Sequence, residues 1–317
     1  MLCCTHTLGR PLLALMMCLA PLVAWAQQDP AFAQYWATET QYNPAAVGKW
    51  DQLNILAALQ THAMGYEDAG TTLFAGADIA FRMGKTRHGV GAAFQADNIG
   101  LFSHKKVTVQ YAYQLRFKQH KLSIGAEADL LQENVDMSKA DVEETGDPVF
   151  NGSNLDGSRI DASVGLYYQW RELSAGLSMT HLTAPTIELG DKNEIKVRRH
   201  YHLNAAYNIR TRNPYFRLTP SAILRTDLRS WRADVTARCT FEREKKNINF
   251  GISYAPMHSV TAFVGCVFQG INVCYSYEAN TEGIGLGAGQ HEVTLGYRLD
   301  LNLGKKGHNL HRTVRWL

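Results

Sequence analysis

Between about residue 52 and residue 301 apolar and polar side chains alternate with period two, run after run. Val107, Val109, Tyr111, Tyr113, Leu115 and Phe117 share one face, and Thr108, Gln110, Ala112, Gln114 and Arg116 share the other. The next run sets Leu122, Ile124, Ala126, Ala128 and Leu130 against Ser123, Gly125, Glu127 and Asp129. Further on, Trp231, Ala233, Val235, Ala237, Cys239 and Phe241 oppose Arg232, Asp234, Thr236, Arg238, Thr240 and Glu242. The last run sets Val293, Leu295, Tyr297, Leu299 and Leu301 against Thr294, Gly296, Arg298 and Asp300. A helix would scatter these sets around its axis; only a strand separates them into two faces.

Alternation also suits a soluble sandwich, so length and chemistry must decide. Soluble strands centre on about 5–6 residues, whereas a tilted strand needs about 9–11 to cross a bilayer. The runs here have the longer measure, and their minor face stays charged or small and polar throughout, as a wet lumen requires. A mean hydropathy of −0.23 excludes a bundle of membrane helices. The predicted strands are 53–63, 71–82, 87–97, 104–117, 120–133, 158–170, 172–182, 197–211, 214–226, 229–243, 246–255, 258–268, 271–281 and 290–301. Connections after even-numbered strands are short, and several after odd-numbered ones are long, notably 134–157, 183–196 and 282–289. That parity is the pattern of short periplasmic turns and longer outer loops. The expected fold is all-β: a transmembrane antiparallel β-barrel of about 14 strands in the outer membrane, with both termini periplasmic.

Ahead of the barrel, Arg10, the apolar stretch Leu12–Val23 and Ala24-Trp25-Ala26 read as a secretory leader over 1–26. A lipoprotein leader ending at Cys18 is the rival, but Leu-Met-Met before that cysteine lacks a small residue. Residues 27–51 form an arm without clean alternation, 52–301 the barrel, and 302–317 a basic tail. Of the six cysteines, Cys239, Cys266 and Cys274 follow the leader, an odd number with no zinc spacing. They are read as small apolar filler. A net charge of +3 and the absence of a basic run exclude nucleic acid as a partner.

Candidate chemistry is sparse. His200 and His202 share a strand face, but no third metal ligand is evident. His291-Glu292 would be a catalytic pair were the two not on opposite faces. Gly283, Gly285, Gly287 and Gly289 lack the helix and the Lys-Ser/Thr of a phosphate cradle. Glu127 and Asp129 lie i, i+2 on the lumen face, roughly 6–7 Å apart, close enough for acid–base work, though lumen charges are more often solvated or paired with an arginine such as Arg116 or Arg232. Asp136, Asp141, Glu143, Glu144, Asp147 and Asp156 crowd one outer loop without calcium-loop spacing. Lys85, Arg87, Lys118, Lys121, Arg212, Lys245, Lys246, Lys305 and Lys306 collect at the turns and tail, for lipid headgroups or an acidic partner. No catalysis, metal or cofactor is expected.

Short motifs along the chain carry a resemblance. Asp29-Pro30-Ala31-Phe32-Ala33-Gln34-Tyr35, Asn43-Pro44-Ala45 with Gly48, Asp97-Asn98-Ile99-Gly100 and Tyr111-Ala112-Tyr113 come in order. His181-Leu182, Arg199-His200-Tyr201, Tyr275-Ser276-Tyr277 and His291-Glu292-Val293-Thr294-Leu295-Gly296-Tyr297 follow. Together they resemble the PorP/SprF family, outer-membrane proteins of the type IX secretion system of Bacteroidota. Gln95-Ala96-Asp97 departs from the family's commoner Asn-Asp pair, and the basic tail is longer than expected.

The resemblance implies a barrel that works with other secretion components and performs no reaction. Its relatives associate with periplasmic ring lipoproteins and a peptidoglycan-binding lipoprotein, and some hold a cargo C-terminal domain at the surface. Expected partner contacts are Asp29, Pro30, Phe32, Gln34, Tyr35, Trp36, Tyr42, Asn43 and Pro44 of the arm, and Lys305, Lys306, Arg312 and Arg315 of the tail. Phe32, Tyr35, Trp36 and Tyr42 are dense within a non-strand segment at the periplasmic entry, so the arm is expected either to plug the lumen, these rings filling the barrel mouth, or to dock a neighbour. The alternative function is an outer-membrane porin or uptake channel, constricted by the loop at 134–157; a barrel enzyme is the third reading.

Overall fold

The alternating runs form strands that close on themselves. The computed structural model describes residues 29–62, 69–137, 154–190, 193–243, 246–281 and 289–301. The first strands are β1 (Leu53–Thr61), β2 (Thr71–Met83), β3 (Thr86–Ile99), β4 (Phe102–Phe117), β5 (His120–Val135) and β6 (Leu155–Trp170). Then come β7 (Leu173–Thr180), β8 (Thr186–Leu189), β9 (Asn193–Lys196), β10 (His200–Tyr207), β11 (Ile209–Arg210) and β12 (Phe216–Thr226). The last are β13 (Trp231–Arg243), β14 (Lys246–Ala255), β15 (Ser259–Phe268), β16 (Ile271–Asn280) and β17 (Gln290–Leu299). β10 and β11 make one wall strand interrupted at Asn208, and β8–β9 form a separate hairpin, leaving a closed antiparallel barrel of 14 strands. Closure runs from Leu53↔Leu299 to Thr61↔His291, so no sheet edge faces lipid.

Burial is inverted relative to a soluble protein, because the inside is polar. On β4, Val109 is 64% exposed while Thr108 and Gln110 are 4% and 3%. The apolar face is the one a bilayer covers. At the short-turn end His120 stacks on Trp170 at 5.9 Å and bonds the Tyr168 hydroxyl at 2.6 Å, part of an aromatic interface ring. The tight turn Gln269-Gly270 takes positive φ at both positions (52° and 85°), the twist that suits a two-residue hairpin. Among the described residues no helix is long and apolar enough to cross a membrane.

Three expectations need correction. The stretch 183–196 is not a plain loop: β8–β9 folds inward, and Ile187 and Leu189 pack with Leu131 and Val135 over the long-connection end of the lumen. Among the described residues the long connection that turns inward is this hairpin; 138–153 lies outside them. The arm does not sit at a periplasmic mouth but crosses the whole lumen. Asp29 meets His181 and His200 at the long-connection end, and Asp51 meets Arg87 beside the short turns. The first described residue is thus at the end opposite to Leu299. Finally, Arg87 and Lys121 are not free for headgroups, because both turn inward to carbonyls of the arm, at Gly48 and Lys49. Lys85, Lys118 and Arg212 are exposed. The leader 1–26, the glycines Gly283, Gly285 and Gly287, and the tail with Lys305, Lys306, Arg312 and Arg315 lie outside the described residues.

Candidate functional site

The arm's own sequence explains its path. It holds a single helical turn, α1 (Glu39–Tyr42), followed by a 3-10 turn at Pro44–Ala46. Asn43 caps that turn by accepting from Ala45 N at 3.0 Å, and Pro44 occupies the first helical position, where a missing N–H costs nothing. The same Asn43 side chain donates to the Leu166 carbonyl at 3.1 Å, tying the turn to β6.

The wall is carved to receive the arm. A Cβ at Gly125 would collide with the backbone of Pro44 and Ala45, one at Gly165 with the Asn43 side chain, and one at Gly89 with Val47. Glycine inside a strand allows this close approach of a second backbone. Polar lumen residues then bind the arm's backbone groups. Gln110 donates to the Thr40 carbonyl (2.6 Å), Ser178 to that of Tyr42 (2.6 Å) and Gln114 to that of Gly48 (2.8 Å), while Asp78 accepts from Gly48 N (2.9 Å). Across the lumen the Glu292 carboxylate accepts Ala33 N at 2.6 Å and Gln34 N at 3.1 Å. A backbone without such partners would lose about 1–3 kcal/mol per buried group.

Side chains of the arm pack on the wall as well. Phe32 meets Phe74 edge-on at 6.3 Å beside Leu56 and Ala58. Tyr35 packs with Tyr42 and Ile223, and its hydroxyl shares a hydrogen bond with Ser221 at 2.7 Å. Trp36 lies against Phe263 at 4.7 Å. Of the residues expected to touch partners, Phe32, Gln34, Tyr35, Tyr42, Asn43 and Pro44 are buried in the lumen, and Asp29, Pro30 and Trp36 are partly buried there.

The candidate chemical groups are engaged otherwise. Glu127 and Asp129 share Lys106, at 3.3 and 3.4 Å, rather than an arginine. His291 bonds Tyr275 at 2.7 Å on the outer face, while Glu292 faces inward. Asp136 and Asp156 flank the outer loop; Asp141, Glu143, Glu144 and Asp147 lie outside the described residues. Cys239, Cys266 and Cys274 are free thiols. At the long-connection end His181 stands between two carboxylates, Asp161 at 2.6 Å and Asp29 at 3.1 Å. Burial alone would depress the His181 pKa, but the Asp29 charge and both hydrogen bonds push it up to about 10. Burial likewise would raise Asp29, yet His181 holds its carboxyl well below the usual range.

The sequence matches the family model for the type IX secretion system membrane protein PorP/SprF over residues 24–297, which spans arm and barrel together. The chain belongs to the PorP/SprF family. It is a β-barrel component of the type IX secretion system in the outer membrane, and other components of that system are its expected company. No curated protein matches the sequence. Among solved structures, a Pseudomonas aeruginosa FadL homologue is similar at 10% identity and a TM-score of 0.49, over 81% of this chain and 92% of its own. The Pseudomonas putida toluene transporter TodX is similar at 10% and 0.49, over 86% and 95%. Omp33 of Acinetobacter baumannii is similar at 6% and 0.45, over 80% and 100%. The fold assignment stands on the closed ladder, and these structural likenesses add no function to it.

Two kinds of functional residue escaped the sequence reading. Glu292 was visible as half of an apparent His-Glu pair and as part of a family motif, with nothing local to announce a partner 258 residues away. The lumen-facing glycines did leave a signal: Gly125 interrupts a face of Ser123, Glu127 and Asp129, and a mid-strand glycine on a wet face marks an approaching backbone.

Proposed function

We propose that this PorP/SprF barrel is a closed, non-catalytic scaffold. Its short-turn end, with exposed Lys85, Lys118 and Arg212, faces the periplasm and meets the ring lipoproteins and the peptidoglycan-binding lipoprotein. The opposite end, capped by β8–β9, is then available to a secreted cargo C-terminal domain. The observation that carries this reading is the arm threaded through the lumen and bonded to strands around the wall. A barrel that commits its lumen to its own chain is suited to holding neighbours rather than passing solutes. The absence of catalysis is part of the proposal, supported by the pairing of Glu127 and Asp129 with Lys106.

The test is purification of tagged protein from native outer membranes in mild detergent, with mass spectrometry of every co-purifying chain and planar-bilayer conductance of the same material. Stoichiometric periplasmic lipoproteins with no conductance support the scaffold. A barrel recovered alone that conducts ions overturns it in favour of the porin.

A further inference from the structure

Three segments distant in sequence converge at the long-connection end of the lumen: the start of the arm, the residue after β7, and the first residue of β10. Each sends one ligand atom to a common point. The ligand atoms of Asp29, His181 and His200 all lie within 4.8 Å of one another. We propose that Asp29, His181 and His200 form a binding site for a divalent transition-metal ion, with Zn2+ the best match to two imidazoles and a carboxylate.

The spacing is that of metal ligands. With Zn–N and Zn–O bonds of about 2.0 Å, the ligand atoms of a tetrahedral site stand about 3.3 Å apart. Asp29 Oδ2 is 3.1 Å from His181 Nε2 and 3.7 Å from His200 Nδ1, values that bracket the ideal. These are the two contacts a metal would bridge.

His200 supplies the independent observation. It is 4% exposed, and among the described residues neither of its ring nitrogens has a hydrogen-bond partner. Buried polar groups are satisfied in the great majority of cases, so an imidazole with two bare nitrogens, directed at a carboxylate and a second imidazole, calls for a ligand. A proton shared between His181 and Asp29 leaves His200 as bare as before.

The outer shell is also built. His181 presents Nε2 to the site because its Nδ1 is bonded to Asp161 at 2.6 Å, the carboxylate–histidine arrangement that orients a metal-bound imidazole. Asp161 is itself fixed by Ala162 N at 2.7 Å and the Thr183 hydroxyl at 2.6 Å. A cavity of about 490 Å3, lined by Asp29, His181 and His200 and reaching His104, adjoins the cluster, giving water a fourth position and the ion a way in. His202, which shares a strand face with His200, bonds Thr180 at 3.3 Å and lies outside the cluster. A metal here ties the arm's first residues to the outer end of the wall.

The experiment uses the whole barrel in detergent, purified without a histidine tag and stripped with a chelator. Zn2+ alone is titrated against a chromogenic competitor, and Co2+ is followed by its visible ligand-field bands. The expected result is one Zn2+ per chain and four-coordinate Co2+ bands. Affinity should drop at least 100-fold in His200→Ala and about 10–100-fold in Asp161→Asn, an outer-shell change. His104→Ala, at the edge of the cavity, should bind as the parent does. Heat-modifiable electrophoretic mobility reports the folded barrel, and if His200→Ala does not fold, Asp161→Asn and the Co2+ bands decide. The proposal is overturned if the parent binds Zn2+ no better than either site variant, or if His104→Ala weakens binding equally.

Discussion

Glu292 holds Gln34 from across the lumen. One carboxylate oxygen accepts Gln34 N and the other Ala33 N, while Thr294, two residues along β17, donates to the Gln34 side chain at 2.8 Å. The carboxylate is 1% exposed. A segment with no sheet partner thereby obtains acceptors for its amides from the barrel wall.

Removing that acceptor should free the upper arm. Glu292→Ala leaves two buried amides unpaired, at about 1–3 kcal/mol each. The expected outcome is protease cleavage within residues 29–40 of the intact detergent-solubilised barrel, absent from the parent. Glu292→Gln keeps one acceptor oxygen and should fall between the two. An arm equally protected in Glu292→Ala would show that the pairing is not what seats it.

The wall glycines make a sharper steric prediction. Gly125→Ala forces a methyl into the backbone of Pro44 and Ala45, whereas Gly296→Ala meets nothing nearer than 3.7 Å. Overpacking of this kind costs about 1–3 kcal/mol. Thermal unfolding followed by heat-modifiable mobility should show a clear drop for Gly125→Ala and little change for Gly296→Ala. Equal midpoints would mean the arm is not packed on β5.

Much of this fold was legible because a barrel strand carries its environment in its own alternation. Thr108, Gln110 and Val109 reveal their faces without knowledge of any neighbour, and the 14 wall strands follow from such runs and from turn parity. The β8–β9 hairpin was not legible, since four-residue strands are too short to display a period. The arm's aromatic density was visible, but its direction was not: that depends on Gly89, Gly125 and Gly165 lining up on three different strands. The Asp29–His181–His200 cluster was hidden for the same reason, because each member lies in a different segment and only closure of the barrel brings them together.

Lys106 tests whether Glu127 and Asp129 serve structure. It is their shared cation, and its loss strands two buried carboxylates. Breaking a buried pair on one side costs about 3–5 kcal/mol, while neutralising all members together is far milder. Lys106→Met should therefore destabilise the barrel strongly, and Glu127→Gln with Asp129→Asn in the same chain should restore most of the loss. Thermal midpoints of the four chains form the cycle. No recovery in the triple variant would argue that the carboxylates have a task apart from pairing with Lys106.

Deleting residues 29–44 separates a plug from a docking arm. The lumen this exposes is lined by Gln110, Glu127, Asp129, Ser178 and Glu292, which water readily solvates, so the vacated barrel should fill and conduct. The parent should show no conductance in a planar bilayer, and the deleted chain should show steady channels. If the arm's buried aromatics act only within the barrel, periplasmic lipoproteins will still co-purify with the conducting variant, assigning partner contacts to the short turns or the tail. Loss of those partners from a barrel that still folds would instead show that the seated arm presents or shapes the docking surface. A deleted chain that folds, keeps its partners and stays closed would remove the arm from both roles.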